Sequence, residues 1–405
     1  MRSAWVERLS RTLAALVAQE RMSNVTVAKR ILVIAGTRPE AIKMAPVVHA
    51  LRGMGNTFDV RVCSTGQHKE MLAQALADFD LAPDCILDVM QTGQTLAGLS
   101  GRLFHAIDAL LARERPDAIL VEGDTTTVEV AALCAFYRRI PVGHVEAGLR
   151  SHDMTQPFPE ELNRRITALA ATWHFAPTRL AGRNLEAEGI RPEVIFVTGN
   201  TIVDALMDTL ERIQKSPPPL PERIEAAITR RTPIVLITGH RRESFGQGFQ
   251  NICDALQRLA ASHPETTFIY PVHLNPAVRQ PVHERLENIE NILLEEPLAY
   301  KAFVRLMEAS RLILTDSGGI QEEGPSLGKP VLVMRDVTER PEAVEAGVNR
   351  LVGTVPDSIV SGVEELLSSE QAYGRMTSAA NPYGDGTAAK KIAGILERQL
   401  TERDQ

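Results

Sequence analysis

Residues 31–51 read ILVIAGTRPEAIKMAPVVHAL. The segment opens on a continuously apolar, β-branched run, 31–35. It breaks at Gly36-Thr37-Arg38-Pro39-Glu40 and resumes as apolar residues at helical spacing over 42–51. A strand with no polar alternation is covered on both faces. A strand that turns at once into a helix is the repeating unit of a parallel α/β sheet.

The same grammar extends in both directions. Strand-like runs fall at 31–35, 60–64, 118–121, 141–145, 173–176 and 194–197, then at 234–238, 267–270, 292–294, 312–315, 331–334 and 350–352. Helical patterns such as 249–261 separate them. Six strands followed by six more predict an α/β chain of two Rossmann-like, doubly wound domains with a cleft between them. The division expected is 30–199 for the first domain, 200–380 for the second and a terminal helix within 381–405. The run Ser216-Pro-Pro-Pro-Leu-Pro221 reads as a surface spacer near the break, since proline disrupts helix interiors and central strands. Residues 1–29 read as an amphipathic or disordered extension, with Trp5, Leu9, Leu13 and Leu16 at helical spacing and Met22 as an alternative start.

Composition narrows the function classes. The chain has 405 residues and a formal charge of -7, so no basic field invites nucleic acid or an anionic membrane. No apolar run is long enough to span a bilayer, and a cytoplasmic location is expected. Cys63, Cys85, Cys134 and Cys253 are far apart in sequence with no CxxC and read as reduced core residues. No ligand-dense His or Asp motif predicts a metal. Neither GxGxxG nor a Walker sequence occurs, so no dinucleotide cofactor is expected.

Ligands of open α/β sheets bind beyond the carboxyl ends of the strands. Arg38 follows the first run at the start of a helix, where anions are favoured. Asp124 follows the run at 118–121, Glu146 the run at 141–145, and Glu160 lies shortly after. Carboxylates that converge raise one another's pKa and allow an acid and a base to coexist near neutrality. Plainer roles compete: Asp124 as a helix N-cap, and Glu160 as an i,i+4 partner of Arg164. In the second half, His240 and Arg241 follow one strand, His273 another, and Ser317-Gly318-Gly319 a third. Paired glycines opening a helix offer bare N–H groups to a diphosphate, and Glu323 lies in reach of a ribose diol. The pattern points to a nucleotide-sugar enzyme.

At these residues the chain resembles the non-hydrolysing UDP-N-acetylglucosamine 2-epimerases. The resemblance rests on GTRPEAIKMAPVVHAL (36–51), TGQHKEML (65–72), EGDTTT (122–127), PVGHVEAGLRS (141–151), PFPEELNRR (157–165), ITGHRRESFG (237–246), YPVHLNP (270–276), LTDSGGIQEE (314–323) and NPYGDG (381–386). It implies two Rossmann-like domains in the GT-B-like arrangement, with the last helix returning to the first domain. The implied reaction interconverts UDP-N-acetylglucosamine and UDP-N-acetylmannosamine through loss of UDP to a 2-acetamidoglucal and re-addition, supplying bacterial surface polysaccharide synthesis without cofactor or metal. By the same resemblance, Asp124, Glu146, Glu160 and His240 are catalytic. Arg38, Lys43, Arg164, Ser317, Gly318, Gly319 and Glu323 bind substrate. Gln67, Gln94, Arg241 and His273 match a site where substrate acts as allosteric activator, and a homodimer is implied. Asp124 and Glu160 are favoured as proton carriers, with Glu146 assisting departure of UDP; the order of acid and base stays open. One departure is Glu122, in place of the usual His or uncharged residue, where a further carboxylate is expected to act on Asp124 or on the pH dependence. The rivals are a UDP-glycosyltransferase, a hydrolysing epimerase (whose kinase extension is not expected here) and a silent nucleotide-sugar sensor.

Overall fold

The computed structural model describes residues 28–66, 69–91, 93–241 and 244–402. Of the extension expected over 1–29, residues 1–27 lie outside the described residues, as does Gln67, and Lys29 already belongs to the first strand.

Two parallel sheets form the frame. The first contains β1 (Lys29–Ala35), β2 (Phe58–Ser64), β3 (Cys85–Ile86), β4 (Ala118–Glu122), β5 (Val142–Val145), β6 (Trp173–Ala176) and β7 (Ile195–Val197), in spatial order 3-2-1-4-5-6-7. The second contains β8 (Ile234–Thr238), β9 (Thr267–Pro271), β10 (Ile292–Glu295), β11 (Leu312–Thr315), β12 (Val331–Val333) and β13 (Asn349–Leu351), in order 10-9-8-11-12-13. Both are doubly wound, and each reverses direction once. These topological switch points, between β1 and β4 and between β8 and β11, are where such sheets open a crevice for ligand.

The apolar runs behave as their composition demands. Ile31 and Val33 face one layer of core, while Leu32 and Ile34 face the other under the helices Leu96–Glu114 and Thr126–Tyr137. β4 and β8 are buried along their whole length. The first sheet has one strand more than the sequence predicted. β3 is only two residues long and sits at the edge, pairing Cys63 with Cys85 and Ser64 with Ile86. So short a strand leaves no periodicity to read.

The helix Thr201–Lys215, capped by the Asn200 side chain, lies against both the helix Arg38–Arg52 and the second sheet's helices. The proline run 216–221 follows it without regular structure. The terminal helix Ala388–Glu402 packs on Arg38–Arg52. Its first N–H groups, at Ala388 and Ala389, donate to Asp204 at 3.2 and 2.9 Å, and Gln399 accepts from the Trp173 indole at 2.9 Å. Among the described residues no helix is long and apolar enough to cross a membrane.

Candidate active site between the two sheets

The turn after β1 is held by its own side chains. Gly36 N–H and the Thr37 hydroxyl donate to the two oxygens of Glu40, at 2.7 and 2.9 Å. Burial raises the Glu40 carboxyl to about 7 against these lowering bonds. A Cβ on Gly36 would meet Thr127 Oγ1 at 2.5 Å and Thr65 Oγ1 at 2.8 Å, so only glycine fits. Arg38 opens the helix that follows. With Asp78 and Tyr300 it borders a small cavity of about 40 Å³.

One turn further along that helix, Lys43 reaches under the ends of β4 and β5. Its Nζ lies 2.9 Å from Glu122 Oε1 and also contacts Glu146 Oε2. Burial opposes the ammonium charge, but the two carboxylates prevail and raise its pKa. Burial pushes the Glu122 carboxyl well above the ordinary range. At Glu146 burial is overcome by Lys43 and Arg340, which hold the group below it. Glu146 adopts a left-handed backbone, φ 62°, a costly conformation for a non-glycine residue of the kind that gathers at functional sites. Glu122 thus acts on Lys43 and Glu146; the expected partner, Asp124, belongs to a different cluster.

Asp124 lies past Gly123, whose carbonyl is bonded by a ring nitrogen of buried His144 at 2.8 Å. Its Oδ2 accepts from Arg164 Nη2 at 2.7 Å and Nε at 2.9 Å, and its carbonyl accepts from Asn163 at 2.8 Å. The N-cap role falls instead to Thr125, which accepts from Val128 N–H at 3.4 Å. Nor do Glu160 and Arg164 pair. Arg164 turns to Asp124 and to Glu161, at 3.3 Å. Glu160 is left at the start of the helix Glu160–Ala170 with its Oε2 buried and without a hydrogen-bond partner. A buried, unsatisfied carboxylate oxygen is rare enough to call for an explanation, and a ligand is one.

In the second half, buried Asp316 organises the turn after β8. Its Oδ2 accepts from the backbone N–H of both His240 and Arg241 at 2.8 Å, and His240 Nδ1 stands 3.4 Å from Oδ1. The His240 ring stacks on His273, with centroids 5.4 Å apart. After β11, Ser317, Gly318 and Gly319 lead into the helix Ile320–Ser326. A Cβ on Gly318 would meet Arg340 Nη1 at 2.8 Å, so the loop passes directly over a guanidinium. Glu323 Oε1 accepts from the Tyr300 hydroxyl at 2.7 Å, and burial raises this carboxyl to about 7.

A buried chain of polar groups joins the halves. Asn200 Nδ2 donates to Glu146 Oε2 at 3.0 Å and to Glu322 Oε2 at 2.6 Å, and Arg340 Nε donates to Glu322 Oε1 at 2.6 Å. Lys43, Glu146, Asn200, Glu322 and Arg340 therefore run from the end of the first sheet to the loop at Gly318. The family model described as UDP-N-acetylglucosamine 2-epimerase matches residues 50–397. The chain belongs to the UDP-N-acetylglucosamine 2-epimerase family. A UDP-N-acetylglucosamine 2-epimerase of Yersinia pestis is 52% identical over 371 residues, 91% of this chain and 98% of that protein. The solved Neisseria meningitidis UDP-GlcNAc 2-epimerase, bound to UDP-GlcNAc, is 44% identical with a TM-score of 0.84 over 91% of this chain and all of that one. The Methanocaldococcus jannaschii UDP-GlcNAc 2-epimerase, solved with UDP-GlcNAc and UDP, is 34% identical with a TM-score of 0.75, over 91% of this chain and 99% of that one.

Within this epimerase fold, the three described residues matched to an activator site, Gln94, Arg241 and His273, have different partners. Gln94 bonds Arg102 and its own loop. His273 stacks on His240. Arg241 borders a separate cleft of about 800 Å³ between residues 149–158 and 335–342. Among the described residues no hydrogen bond joins Gln94 to Arg241 or His273. No group of three metal-ligating side chains occurs among them either. The sequence reading missed Asn200, Tyr300, Asp316, Glu322 and Arg340. Asn200 looks like a cap (which it also is), and Glu322 like a solvated neighbour of Glu323. The doubled acid of Gln321-Glu322-Glu323-Gly324 at the start of a short helix was the signal available.

Proposed function

We propose that the protein reversibly inverts C2 of UDP-N-acetylglucosamine to give UDP-N-acetylmannosamine, through anti elimination of UDP and re-addition to the glucal. The observation that carries the reading is the buried relay Glu146–Asn200–Glu322. It brings the carboxylates of the first sheet to the residues beside the Ser317–Gly319 loop. The relatives solved with UDP-GlcNAc support the choice of substrate.

In this reading Ser317, Gly318, Gly319 and Arg38 receive the diphosphate, and Glu323 the ribose, with Arg164 and Lys43 ordering the carboxylates. The C2 proton is not next to a carbonyl, so enolisation is closed to it. When the C1–O bond breaks, the electron pair leaves with UDP, the C2–H pair forms the C1=C2 bond, and a carboxylate takes the proton. Glu146, held ionised by Lys43 and Arg340, suits stabilisation of positive charge on the ring as UDP leaves. That assigns proton transfer to Asp124 and Glu160, on opposite faces of the sugar. His240, fixed by Asp316, assists the leaving diphosphate.

In the same reading the enzyme acts as a cytoplasmic homodimer that supplies surface polysaccharide synthesis, and the match at Gln67, Gln94, Arg241 and His273 supports UDP-GlcNAc as an activator as well. Phe136, Tyr137 and Leu169, 58, 69 and 77% exposed on two adjacent helices, support self-association, which sedimentation would test. Proton NMR of pure protein with UDP-N-acetylglucosamine tests the activity: both epimers should accumulate, and free N-acetylmannosamine or an unchanged spectrum would refute it.

A further inference from the structure

Cys63 and Cys85 are separated in sequence but are direct partners across the parallel pair β2 and β3. Such partners stand about 4.8 Å apart, inside the span of about 4.4–6.8 Å that a disulfide bridges, and paired residues in register point to the same face. Both are free thiols; Cys63 is buried and Cys85 half-buried. The pairing is pinned on both sides, since Asp84 N–H donates to Val62 carbonyl at 2.8 Å and Leu87 N–H to Ser64 carbonyl at 2.7 Å. The Cys63 Sγ donates to the Ser64 carbonyl at 3.8 Å, and the neighbouring thiols act on each other, lowering the Cys85 pKa and raising that of Cys63. The more exposed sulfur is thus the more nucleophilic, with a second thiol behind it.

We propose that Cys63 and Cys85 form a reversible disulfide under peroxide, a modification site that governs turnover. The Cys85 thiolate attacks a peroxide oxygen; the S–O bond forms, the O–O bond breaks, and the departing hydroxide takes a proton to become water. The Cys63 sulfur then attacks Cys85, the S–S bond forms, the S–O bond breaks, and the released hydroxide takes the Cys63 proton as a second water. Two thiols are oxidised and one peroxide is reduced.

The bond closes a loop containing the helix Lys69–Asp78. That helix touches the second half at the edge of the site. Asp78 pairs with Lys301 at 3.4 Å, and Gln74, Ala75 and Asp78 border the cavity shared by Arg38 and Tyr300. A covalent tie across the ends of this segment restrains the helix that makes these contacts beside Arg38 and Tyr300. The turnover effect rests on the epimerase reading; the bond itself does not.

The full-length protein is treated with hydrogen peroxide, digested without reductant and mapped by mass spectrometry, with UDP-N-acetylglucosamine turnover followed in parallel. The expected result is one linked Cys63–Cys85 peptide pair, Cys134 and Cys253 unchanged, and a loss of turnover that dithiothreitol restores. Cys85→Ser should keep the reduced enzyme's turnover and lose the response to peroxide. Unlinked or differently linked cysteines overturn the proposal, and so does a linked pair that leaves turnover unchanged. A reduced protein that never turns over UDP-N-acetylglucosamine refutes the functional reading instead, and the peptide map still decides the disulfide.

Discussion

Replacing Lys43 by Met removes the one ammonium between Glu122 and Glu146 while keeping a similar stem. Lys43, Glu122 and Glu146 have side-chain exposures of 14, 2 and 6%, so water cannot take over the charge. Breaking a buried ion pair from one side costs about 3–5 kcal/mol. That is a large share of a total stability of about 5–15 kcal/mol. Lys43→Met should therefore lose about 3–5 kcal/mol at pH 7 in urea unfolding. The loss should shrink as the pH falls and the two carboxyls take up protons. Adding Glu122→Gln removes one stranded acidic group and should return about 1–3 kcal/mol, the usual cost of one buried unsatisfied group. A loss below about 1 kcal/mol in Lys43→Met, or a double variant no more stable than the single one, would show that the cluster is not electrostatically held.

Gly36→Ala should cost about 1–3 kcal/mol, the usual penalty for overpacking, because its Cβ collides with Thr127 and Thr65; thermal melting of the two proteins checks this. Glu323 has its carboxyl raised from 4.5 to about 7, so its contribution to stability is intact below pH 4.5 and is lost as pH rises toward about 7. Over that window wild type should fall relative to Glu323→Gln by up to about 3 kcal/mol, and parallel urea midpoints at several pH values would refute it. Asp124→Asn should lower turnover by about 10²–10⁴-fold, the share of one acid–base group, with UDP affinity by calorimetry little changed. Near-normal turnover in that variant would remove Asp124 from the proton chemistry.

Twelve of the strands and their parallel pairing followed from where apolar runs fell, since runs buried on both faces leave little choice but a parallel sheet; their order in each sheet did not. β3 escaped because its two residues pair only through neighbours already fixed by β2. Loops after strands placed Asp124, Glu146, Glu160, His240 and Glu323 near the sheet ends. Their partners did not follow, because the bonds that matter span the chain: Asn200 meets Glu322 122 positions away. Arg164 illustrates the same limit. Local spacing offered Glu160 at i+4, whereas Asp124, 40 positions distant, accepts its hydrogen bond. Glu122 ends a strand and is unusual in its sequence context, yet the cation it serves lies 79 positions away on a helix. Cys63, Cys134 and Cys253 are buried as the sequence suggested, but Cys85 is half-buried on an edge strand the sequence did not announce, and its pairing with Cys63 depends on that strand.

In elimination and re-addition, C2 loses its own proton and regains one from solvent. Turnover of UDP-N-acetylglucosamine in deuterium oxide, followed by proton NMR and mass spectrometry, tests it most directly. UDP-N-acetylmannosamine should carry deuterium at C2 from its first appearance, prolonged reaction should label both epimers there, and C4 should stay unlabelled. Epimerised product that retains the original C2 hydrogen would contradict it.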